Sequence, residues 1–100
     1  MFVEYKKPPI PAGYQQLTVA DTAIALTVPD GARFATIKIA SQSCRFRDDG
    51  TNPLSTSGMP LTTSDSLFEL TSRQQLTAAR FIRDTDNSAT LEILYYKLSS

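Results

Sequence analysis

The sequence predicts an all-β domain: a compact antiparallel β-sandwich of the jelly-roll or Greek-key type with an extended N-terminal arm. About eight short segments are rich in Thr, Val, Ile, Phe and Tyr, turn residues recur about every ten positions, and no stretch keeps a helical period for three turns. One hundred residues suffice for one modest core, so we expect an arm over residues 1–13 and a single domain over residues 14–100. An immunoglobulin-like sandwich is the alternative, although the chain has no Trp and only one Cys.

The arm is distinguished by three prolines between positions 8 and 11. Proline fixes φ and lacks a backbone donor, so this segment is expected to be extended and to lie outside both helices and sheets. Such an arm is either disordered or ordered by lying on a neighbouring subunit. Its apolar residues are Phe2, Val3, Tyr5 and Ile10.

The first half of the domain is predicted to contain strands over residues 14–19, 22–28, 33–41 and 43–47. Residues 29–31 read Pro-Asp-Gly and residues 48–50 read Asp-Asp-Gly, both of which suit turns. Within the third of these strands, Ala35, Ile37 and Ile39 alternate with polar residues, which is typical of a sheet with one wet face. Cys44 and Phe46 continue that alternation inward in the fourth strand.

The second half begins with a loop over residues 51–59, in which Leu54 and Met59 are the candidate anchors, with a short edge strand at its end. Short strands are predicted at residues 60–63 and 67–71, around a turn at 64–66. A further strand is predicted over residues 76–83, with Ala79 and Phe81 on one face, followed by a turn at 84–88.

The last predicted strand, residues 89–98, is apolar on both faces. A strand of this kind is either central and covered twice, or it forms a contact with another chain. One face carries Leu91, Ile93 and Tyr95. The other face carries Leu94, Tyr96 and Leu98.

Composition argues against several classes of function. Ten basic and ten acidic side chains give a net charge of zero, without the basic stripe that nucleic-acid binding requires. The sequence contains no His, so a Ser-His-Asp triad and the usual structural zinc sets cannot form. Cys44 has no partner for an intrachain disulfide and is expected to be a small buried hydrophobe. We therefore expect no catalytic residue, no cofactor and no bound metal.

No signal-peptide pattern or apolar run of bilayer length is recognised, and we expect no membrane, nucleic-acid or small-molecule partner. Carboxylates at the turn positions are where Asp is expected for turn formation alone. Residues 84–87 have the alternating oxygen ligands with which a Ca²⁺ loop opens, but the central Gly and closing Glu are missing, which favours a hairpin turn. Glu69 and Glu92 are expected on wet strand faces.

Arg45 and Arg47 lead into an acidic turn. The simpler interpretation is an ion pair on the wet face, with Arg47 near the aspartates of that turn. The alternative is a polar docking surface, which Arg80 and Arg83 would join if the two strands are neighbours.

Three segments together carry a resemblance to a known family. Residues 47–53 read RDDGTNP, residues 58–61 read GMPL and residues 80–82 read RFI. The chain between residues 33 and 96 resembles small virion proteins of tailed bacteriophages, in which these turn, loop and strand motifs recur in this order. The resemblance covers about two thirds of the chain. It begins at Arg33, before the first motif, and ends with the Tyr pair at residues 95 and 96, after the last motif.

The resemblance implies a capsid decoration or cement protein, a jelly-roll-like subunit on the outside of the phage head. It implies docking on the major capsid protein or another virion protein as a homo-oligomer, a dimer or trimer, made in the host cytoplasm. It supplies no catalytic or ligand-binding motif. The predicted interface consists of Phe2, Tyr5, Ile10, Arg45, Arg47, Leu54, Met59, Leu94, Tyr96 and Leu98.

Other functions on the same fold are open at this point. A role in the neck or tail is one, and a carbohydrate- or receptor-binding module is another, for which Tyr14, Tyr95 and Tyr96 are the available stacking aromatics. A carboxylate enzyme is the third, with Asp48, Asp49, Glu69 and Glu92 as candidate residues.

Overall fold

The computed structural model describes residues 9–65 and 67–98, which form two four-stranded antiparallel sheets around one core. The elements are β1 (Pro9–Val19), β2 (Ile24–Ala25), β3 (Phe34–Ser41), β4 (Cys44–Arg47), β5 (Met59–Leu61), β6 (Phe68–Leu70), α1 (Arg73–Ala78), β7 (Arg80–Arg83) and β8 (Ala89–Leu98). The predicted all-β sandwich is confirmed.

The strand order identifies the type of sandwich. The first sheet has the order β1-β8-β3-β6 and the second has the order β2-β7-β4-β5. The pairs β1·β8, β2·β7, β3·β6 and β4·β5 are those of one long hairpin that turns between β4 and β5. The further pairs β3·β8 and β4·β7 fold this hairpin into two sheets. This is the jelly-roll arrangement, and it differs from the order of an immunoglobulin-like sandwich.

The core is built by the alternation of side chains along β3 and β8. Their inward residues pair directly across the two strands and are at most 2% exposed: Ala35 with Tyr95, Ile37 with Ile93, and Ile39 with Leu91. Phe46 from the second sheet completes the core, with its ring 5.3 Å from that of Phe68 and 5.7 Å from that of Phe81. The two sheets therefore share one hydrophobic interior.

Tyr95 is the largest fully buried side chain, and its hydroxyl needs a partner inside the protein. The hydroxyl donates to Oε1 of Gln15 at 2.5 Å, and the same oxygen accepts the backbone N–H of Thr27 at 3.2 Å. Burial raises the pKa of Tyr95 to about 12. The side chain of Gln15 thus connects β8 to the segment after β2.

The expectation that the proline segment lies outside the sheet is wrong for residues 9–13. Pro9 and Pro11 pair with Leu98 and Tyr96 in the β1·β8 ladder, which has an irregularity before Gly13. The two prolines are two residues apart, so the missing N–H groups have the same orientation along the strand. Because β1 is an edge strand, one row of its backbone groups needs no partner, and proline is tolerated there.

The expectation of one strand over residues 76–83 is wrong for its first part. Residues 76–78 belong to the helix α1, and the strand β7 begins only at Arg80. Ser72 is the N-cap, and its hydroxyl accepts the backbone N–H of Gln75 at 3.2 Å. No helix within the described ranges is long and apolar enough to span a bilayer.

Several predicted strands are shorter in the structure. The strand expected over residues 22–28 is reduced to the two residues of β2. The Pro-Asp-Gly turn is confirmed: the N–H of Ala32 donates to the carbonyl of Pro29 at 3.1 Å, and Gly31 has a φ of 81°. Glycine suits this turn because other residues are strained at positive φ.

Candidate protein-interaction surfaces

The outer face of the β1-β8-β3-β6 sheet carries a group of apolar side chains that no described part of the chain covers. We call this group the sheet face. It consists of Tyr14, Phe34, Leu67, Leu94, Tyr96 and Leu98. Tyr14, Leu67, Leu94 and Leu98 are between 47% and 63% exposed. Leu67, Leu94 and Tyr14 also line one shallow depression of about 200 Å³.

Strand register brings the members of the sheet face together. Leu94 on β8 lies opposite Tyr14 on β1 and opposite Thr36 on β3. Tyr96 lies opposite Phe34, and their rings stack with centroids 5.3 Å apart. The strand β8 is therefore central in its sheet, and the described residues cover only one of its faces. Of the two arrangements predicted for it, a central strand covered twice is not what these residues form.

The apolar sheet face ends at a row of polar residues around Glu92. Its carboxylate accepts a hydrogen bond from the hydroxyl of Tyr14 and another from Nε2 of Gln16, the latter at 2.8 Å. The bond from Tyr14, followed by that from Gln16, lowers the pKa of Glu92, and the same Tyr14–Glu92 bond raises the pKa of Tyr14. Glu92 is thereby directed towards β1.

Lys38 is the cross-strand neighbour of Glu92 on β3. Its Nζ donates to the carbonyl of Thr63 at 3.0 Å and to the carbonyl of Asp65 at 2.5 Å. These carbonyls belong to the connection that leads into β6, so the Lys38 side chain is directed away from β1. The two opposite charges of this row consequently point towards opposite sides of the sheet.

Two further exposed apolar side chains, which line separate depressions, lie in the β4–β5 loop and at the start of β5. We call Leu54, 61% exposed, and Met59, 63% exposed, the loop surface. The expectation that these two residues anchor the loop is wrong, because the buried residue there is Pro53. At Gly58 an added Cβ would lie 3.1 Å from Cβ of Pro53 and 3.2 Å from the carbonyl oxygen of Phe46. The loop is thus packed closely against β4.

Arg45 holds this loop from the β4 side. Its Nη1 donates to the carbonyl of Gly58 at 3.1 Å, and its Nε lies 3.6 Å from Oδ2 of Asp84. That separation is an ion pair and is longer than a hydrogen bond, and Nε has no hydrogen-bond partner among the described residues. The Asp84 carboxylate is itself fixed by the Ser43 hydroxyl, which donates to Oδ1 at 2.5 Å. Arg45 therefore has a structural role between the loop and the 84–88 turn.

Arg47 forms a two-point ion pair with Asp49. Nε donates to Oδ1 at 3.0 Å and Nη2 to Oδ2 at 2.5 Å. The guanidinium lowers the pKa of Asp49 to about 2, and the carboxylate raises the pKa of Arg47. The predicted ion pair between Arg47 and the acidic turn is confirmed.

The two arginine-bearing strands are neighbours, as the docking interpretation required. Arg47 lies opposite Arg80, whereas Arg83 lies opposite the buried Cys44 and so belongs to the other face of the sheet. Nη1 of Arg80 donates to the carbonyls of Thr77 and Ala79 at 2.9 Å each. Arg45, Arg47 and Arg80 all have partners within the chain, and Arg83 does not share their face.

The remaining predicted interface residues are dispersed. Ile10 is 38% exposed and pairs with Lys97, at a strand position that alternates with those of the sheet face. Phe2 and Tyr5 lie outside the described residues. Tyr95, proposed as a stacking aromatic for a carbohydrate site, is in the core, so that part of the expectation is wrong.

Titratable side chains form no compact site in the described ranges. A groove of about 520 Å³ is lined by Asp21, Asp84 and Asp86, but no three His, Cys, Asp or Glu side chains among the described residues are grouped as a metal ion would need. Cys44 is fully buried, and burial, with a smaller effect of the Asp84 charge, raises the pKa of its thiol to about 12.

No protein-family model, curated protein or solved structure matches this chain. The functional inference therefore rests on the two exposed apolar surfaces. Sequence reasoning found Leu94, Tyr96 and Leu98 of the sheet face and named Tyr14 only as a candidate stacking aromatic. It missed Phe34 and Leu67, because the strand register that joins these residues is not visible in the sequence.

Proposed function

We propose that the protein is a non-catalytic virion structural protein that docks as a multimer on the outside of an assembled phage capsid and stabilises it. The observation that carries the proposal is the presence of two separate apolar surfaces in one small chain. The sheet face lies on the outer side of the first sheet, and the loop surface lies on the loop and edge strand of the second sheet.

Two such surfaces suit a subunit that makes two kinds of contact. Contiguous apolar patches on a folded domain mark interaction sites, since covering them releases about 25 cal/mol per Å² of apolar area removed from water. A lattice-bound multimer needs one contact between its copies and one with the underlying shell. We assign the sheet face to the contact between copies and the loop surface to the contact with the shell.

The fold, the net charge and the resemblance all support the role of a capsid-bound multimer. Jelly rolls occur in viral capsid and lectin domains, so the fold is compatible with the proposal without identifying the function. A net charge of zero lets many copies pack at high local density with little mutual repulsion. The three motifs that resemble phage virion proteins indicate the capsid as the lattice, and one of them, GMPL at residues 58–61, includes Met59 of the loop surface.

The mechanism is mass action on the assembled state. A protein that binds only the assembled shell stabilises each site by RT ln(1 + [L]/Kd), or about 3 kcal/mol at a hundredfold excess over Kd. Repetition over many sites makes a weak docking contact sufficient, and a multimer gains further affinity from simultaneous contacts.

Co-sedimentation with capsids of the phage that encodes the chain tests the proposal. We expect the wild-type protein to saturate intact capsids at a fixed number of copies and to delay their thermal disruption. The double variant Leu54→Ser and Met59→Ser should lose occupancy while remaining folded. Asp30→Asn, an exposed change outside both surfaces, is the matched control. Absence of saturable binding by the wild type to capsids contradicts the proposal.

Two alternative functions have distinct outcomes in the same assays. Binding to isolated tails or necks but not to heads would place the protein elsewhere on the particle. A carbohydrate- or receptor-binding module is favoured by one observation, the presence of Tyr14 and Tyr96 on the same outer sheet face. Glycan-array binding that is lost in Tyr14→Ala, together with no capsid binding, would establish that function instead.

A further inference from the structure

The sheet face, taken together with the polar row at its end, has a pattern that is complementary to itself. On its two central strands, β8 and β3, the outward residues pair level by level. From the polar end to the apolar end the levels are Glu92 with Lys38, Leu94 with Thr36, and Tyr96 with Phe34. One level therefore joins opposite charges and another joins two aromatic rings.

A two-fold axis parallel to the strands, midway between β8 and β3, would place β8 of one copy over β3 of another. Each residue would then face the counterpart of its own level, Glu92 against Lys38 and Tyr96 against Phe34, and each such contact would occur twice. We propose that the sheet face binds a second copy of this chain in this arrangement, as a symmetric dimer of face-to-face sheets.

The directions of the charged side chains fit this axis. Glu92 is directed towards β1 by Tyr14 and Gln16, and Lys38 is directed towards the β6 side by two carbonyls. These displacements are on opposite sides of the axis, so rotation by 180° brings the carboxylate of one copy opposite the ammonium of the other. The charges thus meet across the dimer although they point apart within one chain.

The other in-plane two-fold orientation is unfavourable. An axis perpendicular to the strands reverses the order of levels, so the level of Glu92 and Lys38 would cover the apolar levels near Leu98. Charges would then be removed from water without an opposite charge facing them in the other copy, and burial of such a charge is costly. Charge complementarity therefore selects the axis parallel to the strands.

The size of the face is adequate for a modest interface. Four strands about 4.8 Å apart and a central strand of ten residues give a projected area of roughly 500 Å². Side chains enlarge the accessible area beyond this projection, towards the roughly 800 Å² per partner of a standard interface. Aligned sheets pack in this manner within sandwiches, with an angle of about 30° between strand directions.

Charge reversal provides the sharpest test, by sedimentation velocity at about 100 μM, a concentration that populates even weak dimers. We expect the wild type to be dimeric. Lys38→Glu alone and Glu92→Lys alone should each be monomeric, with at least about tenfold weaker association, because every charged contact in their homodimers joins like charges.

An equal mixture of the two variants should recover the dimer. In a mixed pair, both contacts join opposite charges again, whereas positions 38 and 92 within each chain still carry like charges. Recovery in the mixture also shows that both variants are folded. Leu94→Ser should weaken the dimer at least about tenfold, and Leu54→Ser, which removes an exposed Leu from the loop surface, should leave it unchanged.

The inference deepens the proposed function and rests on it for its biological meaning. Dimerisation is measured without capsids, so the dimer and the docking on capsids can fail separately. A wild-type chain that is monomeric at about 100 μM overturns the inference. A mixture that stays monomeric, while the wild type dimerises, overturns the proposed axis.

Discussion

The pair of Arg47 and Asp49 shows how little an exposed ion pair contributes to stability despite good geometry. Both hydrogen bonds join charged groups and span only two residues of sequence, at the exposed end of β4. Exposed pairs are screened by water and salt, so the net effect on folding is small. The pair instead fixes the direction in which the chain enters the β4–β5 loop, which carries the loop surface.

The pKa of Asp49 tests this contact directly. The folded pKa is lowered, so the contribution of the pair to stability is complete above about pH 4 and is lost as the pH falls through about 2. Arg47→Gln should raise the Asp49 pKa towards its ordinary value of 3.8, measured by NMR titration of the carboxyl carbon. Arg80→Gln, on the neighbouring strand, should leave it unchanged. An unaltered Asp49 pKa in Arg47→Gln would show that the ion pair does not form in solution.

Gly58 determines how closely the loop packs against β4. Gly58 and Gly50 both have positive φ, 138° and 89°, but a Cβ at Gly58 would meet Pro53 and the Phe46 carbonyl, whereas a Cβ at Gly50 would meet nothing within 4 Å. Comparison of the two alanine variants therefore separates backbone strain from steric contact.

We expect Gly50→Ala to reduce the free energy of unfolding by about 1 kcal/mol through strain alone. Gly58→Ala should cost clearly more, since a backbone oxygen cannot move aside as a side chain can. Urea denaturation measures both. Equal losses in the two variants would show that the loop moves freely to accommodate a Cβ.

Among the elements, α1 depends on its N-terminal cap more than on its length. Six residues are too few for a helix to be stable alone, and its buried contact is Leu76. Ser72 caps the first turn, while Oε1 of Gln75 accepts the N–H of Thr71 at 2.8 Å. This arrangement resembles a capping box, in which the third helical residue bonds the backbone N–H of the N-cap residue. Here Gln75 accepts instead from the N–H of Thr71, the residue before the N-cap.

Ser72→Ala should therefore lower the free energy of unfolding by about 1 kcal/mol. Ser72→Asp keeps a capping acceptor and should retain most of the stability, and Gln74→Ala, at an exposed position of the same helix, is the control. The measurement is equilibrium urea denaturation. A Ser72→Ala loss no larger than that of Gln74→Ala would mean that packing of Leu76 alone holds the helix.

The sequence was most informative where alternation and burial coincide. The inward residues of β3 were predicted correctly, because a period of two is unambiguous when one face is wet. For β8, which is apolar on both faces, the sequence separates the two rows of side chains but does not reveal which row faces the core. The helix was missed, because its signal is the Ser72-x-x-Gln75 spacing rather than periodicity. The prolines of β1 were placed outside the sheet, because a sequence does not reveal which strand is at an edge.

The candidate surfaces were predictable only in part. Leu94, Tyr96 and Leu98 were found from one strand that is apolar on both faces. Their neighbours on β1 and β3 are brought to them by long-range strand pairing. Tyr14 and Leu94 lie opposite each other although most of the chain separates them in sequence. The anchoring role of Pro53, and hence the exposure of Leu54 and Met59, depends on how the loop folds back onto β4.

Taken together, the two sheets give the protein two apolar surfaces that the described residues leave uncovered. The first sheet presents a self-complementary face, and the β4–β5 loop of the second sheet presents Leu54 and Met59. Because neither Leu54 nor Met59 belongs to the sheet face, a dimer formed through the first sheets would leave both loop surfaces free. Such a dimer would have two sites with which to contact a repeating shell.

Cryo-electron microscopy of capsids saturated with the purified protein tests this arrangement most directly. We predict density for paired copies, related by a two-fold axis parallel to β8 and β3, with the β4–β5 loops in contact with the shell. Single copies that place the outer face of the first sheet against the shell, or capsids without added density, would contradict it.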